Sequence, residues 1–164
     1  MQRVRNIGII GLGNPLRHDD GIGLILLDFV RHHKKEFGDR ITVIDGGTGG
    51  MNLLHVLARF DVVFLIDAVD FEGKPGDTRL FTVEQIQSKK TPMTLSTHDS
   101  DFLNVLSLSK ELHELPRILV LFGIQPHDVS YGTGLSDQLI YSLDKLSMKL
   151  KKEIQNLIEK TEIS

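Results

Sequence analysis

The chain contains no cysteine. That single absence removes disulfides, thiolate zinc sites, iron–sulfur ligation and cysteine nucleophiles together. It also fits a reducing compartment, and the expected location is cytoplasmic. No apolar run approaches the roughly 18 residues that a membrane span requires. The opening MQRVRNIGIIGLGNP is basic and then apolar. Its apolar part is brief, interrupted by glycine and followed at once by polar residues, so it reads as a strand rather than a signal peptide. No basic block stands out: 19 Lys and Arg stand against 22 Asp and Glu, for a formal charge of −3. A nucleic-acid partner needs a concentrated basic face, and the main lysine cluster, Lys149, Lys151 and Lys152, falls in a late helix. Also missing are a GK[ST] phosphate loop, a GxSxG elbow, an HExxH pair and an Asp-Thr-Gly segment.

What is present is ordinary for a globular protein. Hydrophobic residues make up 40% and charged residues 25% of 164 positions, which argues for one domain, residues 1–164, with one sizeable core. Short apolar runs predict strands at Val4–Gly11, Ile41–Ile44, Val62–Ala68 and Arg117–Ile124, with a shorter edge strand at Thr78–Val83. Helical patterns occupy Gly21–Lys35, Met51–Arg59 and roughly Asp101–Leu112. From Ser136 onward, Leu139, Leu143, Leu146, Leu150, Ile154 and Leu157 recur at steps of three and four, which makes one apolar stripe. Polar and proline-bearing residues from Thr91 to Thr97 read as loop. The alternation predicts an α/β fold: a single three-layer domain with a twisted, mostly parallel sheet and helices on both faces.

Gly11-Leu12-Gly13 after the first strand invites a dinucleotide-binding reading. That fingerprint needs a third glycine where this chain has Leu16, and Pro15 removes a backbone donor. Asp19 and Asp20 then place negative charge where a phosphate would sit. The two acids also suit a helix N-cap, and either could cap while the other points elsewhere.

Three potential metal ligands fall where the chain leaves a strand or enters a helix: Asp20, Asp67 and His98. In a parallel α/β sheet the carboxyl ends of neighbouring strands share one crevice, where ligands bind. Taken singly, Asp67 reads as a turn cap and His98 as a solvated loop histidine. Jointly they carry more. Two carboxylates about 5 Å apart repel by about 3 kcal/mol at an effective dielectric of about 20, and a shared proton, water or a cation must offset this. A nearby imidazole favours the cation, because carboxylate with imidazole suits Zn, Ni, Fe or Co. Three ligands would leave open positions, as in a catalytic or substrate-binding site. His18 and His127, in loops at the same end, are reserve candidates. His32, His33 and His55 read as surface residues.

The segments GLGNPLRHDDGIG, DGGTGGMNLL, FLIDAVD, STHD and GIQP, in that order, resemble the hydrogenase maturation proteases of the HycI/HybD type. The likeness runs from about Ile7 to the final helix. It implies a single α/β domain with a five-stranded sheet and an endopeptidase that trims the C-terminal extension from the [NiFe]-hydrogenase large-subunit precursor. It places the family's metal-binding residues on Asp20, Asp67 and His98, the residues expected to carry the reaction. The first acid is Glu in some relatives and Asp here. Asp45 matches the acid before the glycine turn, and Gly46, Gly47 and Gly49 are expected to let backbone approach substrate closely. The resemblance also implies that nickel arrives with the precursor, so that cleavage follows nickel loading; whether the resting enzyme holds a metal of its own is left open by the sequence. No nucleic-acid partner or membrane insertion is expected. The alternative reading is a non-catalytic nickel-binding or assembly chaperone for the same subunit.

Overall fold

The computed structural model describes residues 6–95 and 99–163, and only the backbone of residues 99 and 100. The elements run β1 (Ile7–Gly11), a 3-10 turn (His18–Gly21), α1 (Ile22–His32), α2 (Lys34–Phe37), β2 (Ile41–Asp45), α3 (Asn52–Leu57), β3 (Val62–Asp70), β4 (Thr78–Thr82), α4 (Val83–Gln87), β5 (Thr94–Leu95), α5 (Asp99–Glu111), β6 (Ile118–Ile124) and α6 (Asp137–Ile163).

The strand order is β2-β1-β3-β6-β4, with β5 added on β3. Strands β1, β2, β3 and β6 are mutually parallel. The edge strand β4 runs antiparallel to β6, because the short β3–β4 connection, residues 71–77, turns the chain back where a parallel strand would need a long crossover. The sheet thus has six strands rather than the expected five. The extra one pairs Leu95 with Val69 and Thr94 with Asp70 inside the segment read as loop. Two residues are too few to show alternation, and the partner strand is remote in sequence. The short helix α4 was likewise not anticipated; Thr82 and Gln85 close it with a reciprocal capping box, which is worth about 1 kcal/mol.

Alternation along the strands divides the core into two apolar layers. Ile7 and Ile9 of β1, with Phe64, Ile66 and Ala68 of β3, pack under α1 and α6. Ile10, Val63, Leu65 and Val69 face the opposite way, under α3, α4 and α5. Because both faces of β3 are covered, its eight residues from Val62 to Val69 are all buried, as a central parallel strand requires. The expected stripe of α6 is the buried one: Leu139, Leu146, Leu150 and Ile154 are each at most 2% exposed, and Leu143 packs against their edge. Burying a leucine of this kind contributes roughly 1.5–3 kcal/mol.

Helix α1 sits unusually close to the sheet. A Cβ on Gly23 would lie 2.2 Å from the Leu12 carbonyl oxygen and 2.4 Å from that of Ile66. Both obstacles are backbone, so neither can rotate away. Gly23→Ala is expected to destabilise the fold by about 3 kcal/mol, read as a fall of roughly 6–12 °C in Tm. An unchanged Tm would show that α1 does not rest on the β1 and β3 backbone.

Candidate active site

The chain passes from β1 through α1 to β2 on one side, then through α3 to β3 on the other. The strand order therefore reverses between β1 and β3. A crevice opens outside the carboxyl ends of strands at such a switch point. In register, Gly11 lies between Asp45 of β2 and Ile66 of β3, so Asp67 is the next residue past the last β1 pairing. The loop after β1 stays on that edge: Leu12 N–H donates to the Ile66 carbonyl at 2.8 Å and Gly13 N–H to the Gly47 carbonyl at 2.8 Å. The 3-10 turn carrying Asp20 packs against β3. Asp67 thus lies within β3, three residues short of its end and opposite Gly123 of β6, and Asp20 lies in the 3-10 turn between β1 and α1. Both stand toward the carboxyl ends of the two strands that flank the switch point.

Asp20 is 0% exposed, and its Oδ2 accepts the Asn14 N–H at 2.9 Å. It does not cap α1, whose N-cap residue is Gly21 and has no side-chain cap bond. Gly13 makes the turn possible. Its φ is +149°, and a Cβ there would lie 2.1 Å from the Asp20 carbonyl oxygen, so no side chain fits. Asp67 is 7% exposed and accepts the following Ala68 N–H through Oδ1 at 2.8 Å; Ala68 still belongs to β3, so this bond is not the turn cap its sequence position suggested. By alternation it belongs to the face on which α5 opens at Asp99. His98, the residue before α5, lies outside the described residues. Among the described residues no group of three or more His, Asp or Glu side chains is placed to hold a metal ion.

Asp19, the other half of the acid pair, has a different task. It is 0% exposed. Its Oδ2 accepts the backbone N–H groups of His127 and Asp128, each at 2.9 Å, and the Ser136 hydroxyl at 2.8 Å. Its Oδ1 accepts the Ser136 N–H at 2.7 Å. One buried carboxylate thus closes the whole β6–α6 loop onto the β1 loop. The DD dipeptide divides its labour: Asp19 holds the wall and Asp20 remains beside the crevice.

The reserve histidines join this wall. His18 Nδ1 lies 2.9 Å from the Gly134 carbonyl, and its ring packs where a Cβ on Gly132 would stand, 2.1 Å from Nε2. His127 contributes the backbone N–H already described. His33 is half-buried against Phe29, ring centroids 4.2 Å apart, and so is not a simple surface residue. His32 and His55 are exposed. In the same loop, hydrogen bonds from Ser130 N–H and Oγ hold the Asp128 carboxyl below the usual aspartate range.

Asp45 is exposed at the end of β2 and accepts the Gly47 N–H at 2.8 Å. Gly47 and Gly49 have φ of +56° and +75°, the left-handed region that side chains avoid. Gly46 is glycine for another reason: a Cβ there would meet Leu12 Cδ2 at 2.6 Å. Sequence reasoning missed Gln125, 7% exposed. Its Oε1 accepts Phe71 N–H at 2.9 Å and Gly73 N–H at 3.0 Å, and its Nε2 donates to Asp70 Oδ1 at 3.1 Å. It locks the turn after β3, and its signal was the GIQP motif at the end of β6.

The fold and this edge define an open α/β protein with acids at the switch point of its sheet. A family model described as HycI, hydrogenase maturation protease, matches residues 28–153, a span that takes in Asp45, Asp67 and His98 and begins after Asp20. The chain is 30% identical over 141 residues to hydrogenase expression/formation protein HupD of Bradyrhizobium diazoefficiens, covering 83% of this chain and 73% of that one. It is 30% identical over 129 residues to hydrogenase 2 maturation protease of Escherichia coli, covering 78% and 77%. Among solved structures, the [NiFe] hydrogenase maturation protease HybD of Thermococcus kodakarensis superposes with a TM-score of 0.73 at 26% identity, covering 91% and 99%. The E. coli endopeptidase HybD does so at 0.76 with 24% identity over 92% and 93%, a likeness of fold. The chain belongs to the hydrogenase maturation protease family, and it is a peptidase.

Proposed function

We propose that this peptidase removes the C-terminal extension of a [NiFe]-hydrogenase large-subunit precursor, and that it does so after nickel has been inserted. The observation that carries the reading is the position of Asp20 and Asp67 on either side of the sheet's switch point, in a chain of this family. Asp20 is a fully buried carboxylate. Burying such a group costs stability unless partners or a cation offset it, which suits a residue kept for chemistry.

In this reading nickel is part of the substrate. Asp20, Asp67 and His98 form an incomplete donor set, and three protein donors leave coordination positions for the precursor's own ligands. A precursor without nickel lacks the charge that two carboxylates would grip, so loaded and unloaded substrates differ in affinity. Hydrolysis adds water across the scissile amide: the water oxygen bonds to the carbonyl carbon, the C–N bond breaks, and the departing nitrogen gains a proton. A carboxylate of the pair serves as the base for the attacking water. Asp45 and Gly47 offer an exposed carboxylate and half-buried, side-chain-free backbone to the incoming chain, with Gly49 buried behind them.

Intact-mass spectrometry of precursor mixed with this protein tests the reading. The nickel-loaded precursor is expected to be shortened and the nickel-free one to stay intact. Equal cleavage of both would overturn the nickel requirement, and cleavage of neither would overturn the processing role.

A further inference from the structure

On the far side of β6 from the crevice, β4 meets α6 around a cavity of about 350 Å³. Arg79 of β4 and Lys145 and Lys149 of α6 line it, with Ser142 and the turn at Gly76 and Asp77. Among the described residues none of these three cations forms an ion pair. Arg79 instead lies over the Phe71 ring, 5.4 Å from its centroid. Asp77 is the only carboxylate among the described lining residues, and its Oδ2 already accepts the Lys74 N–H at 2.9 Å.

The same cations continue outward. Lys145 and Lys149 also border an open groove along α6 with Met148, Lys152 and Gln155. Lys145, Lys149 and Lys152 fall at i, i+4 and i+7, hence on one helix stripe, where like charges repel. Glu153 is the carboxylate nearest this stripe in helical spacing, and it makes no ion pair among the described residues. Lys151, on the flank, is neutralised by Glu36. From Ser142 to Gln155 the helix rises about 20 Å. A chain whose formal charge is −3 therefore concentrates unpaired positive charge along one strip, at a cost to helix stability.

We infer that the Arg79–Lys145–Lys149–Lys152 strip is a docking surface for an acidic, extended peptide segment of a protein partner. Charge complementarity selects an anion. Its form selects a polypeptide: Arg79, Lys145 and Lys149 line the cavity, and the groove carries the charge on along α6 to Lys152, beyond the compact cluster that a single phosphate would need. Met148, 63% exposed, offers an apolar contact between them. Naming the hydrogenase precursor as that partner rests on the processing reading above. The strip would hold a region of the precursor remote from the scissile bond, leaving the crevice to the chemistry.

Fluorescence anisotropy with a labelled peptide of about eight alternating Asp and Gly residues tests the surface without any cleavage. Binding is expected to weaken at least about tenfold between roughly 20 and 200 mM salt, as screening predicts. It is expected to weaken by a similar factor in Lys145→Glu/Lys149→Glu and to persist in Lys145→Arg/Lys149→Arg, with circular dichroism confirming that both variants keep their helices. Equal binding by wild type and the Glu variant, or tighter binding of inorganic phosphate, duplex DNA or anionic vesicles than of the peptide, would overturn the inference. With the nickel-loaded precursor, the Glu variant is expected to raise KM about tenfold with kcat unchanged. An unchanged KM beside lost peptide binding would overturn the precursor as partner. A wild type that cleaves no precursor would instead sink the processing reading and leave the peptide result to stand alone.

Discussion

Asp19→Ala is expected to destabilise the protein by about 3–5 kcal/mol, the range for removing one member of a buried charged network. The carboxylate accepts four hydrogen bonds, from His127 N–H, Asp128 N–H, Ser136 N–H and Ser136 Oγ. Hydrogen bonds to a charged group contribute roughly 1.5–3 kcal/mol each, and they do not add fully. Alanine leaves three backbone donors without their acceptor, and only water entering the loop can replace it. The expected readout is a fall of roughly 6–20 °C in Tm by calorimetry. Asp19→Asn keeps the volume but turns an amide N–H toward a donor, so it should fall between wild type and Asp19→Ala. A Tm within a degree of wild type for Asp19→Ala would show that the β6–α6 loop is held by something else.

The neighbouring carboxylate should behave in the opposite way. Asp20→Asn is expected to lower kcat/KM on nickel-loaded precursor by at least about 100-fold, the lower range for loss of a catalytic acid or base, while changing stability by no more than about 1 kcal/mol. Asparagine keeps an oxygen to accept the Asn14 N–H that Oδ2 accepts now. It removes the negative charge, which on the proposed reading is what meets the metal and the water. A hundredfold loss corresponds to about 2.7 kcal/mol of transition-state stabilisation, far more than the packing change could supply. Normal turnover by Asp20→Asn would remove Asp20 from the chemistry. A large drop in Tm would place it with Asp19 as a structural acid. Two adjacent aspartates, both 0% exposed, are thus expected to separate cleanly, one by melting and the other by rate.

Much of the fold was legible from the chain alone because its signals are local. The uninterrupted apolar run of β3 states that both faces are covered, and the three-and-four spacing of α6 states which face is buried. Glycine at Gly47 and Gly49 announced unusual backbone before any φ was known. The elements that escaped were those with too few residues to show a period: β5, at two residues, α4, at five, and the 3-10 turn and α2, at four each, the last split off from the single helix expected over Gly21–Lys35. The first exists only because the end of β3 offers it a partner.

For the site, the sequence by itself determined the chemical inventory: acids rather than thiols, no phosphate loop, an aspartate in an otherwise apolar strand, and motifs in the family's order. The resemblance singled out Asp20, but the residues of the turn taken alone could not determine what Asp19 does. Both are aspartates in the same turn, and a residue's role there depends on what stands opposite. Only the tertiary structure supplies that, by bringing the N–H groups of residues more than a hundred positions away onto Asp19 and none of these onto Asp20. The same holds for the crevice. Its location follows from the reversal of strand order between β1 and β3, a property of how strands pair across space, and side-chain pattern along one strand carries no record of its neighbour.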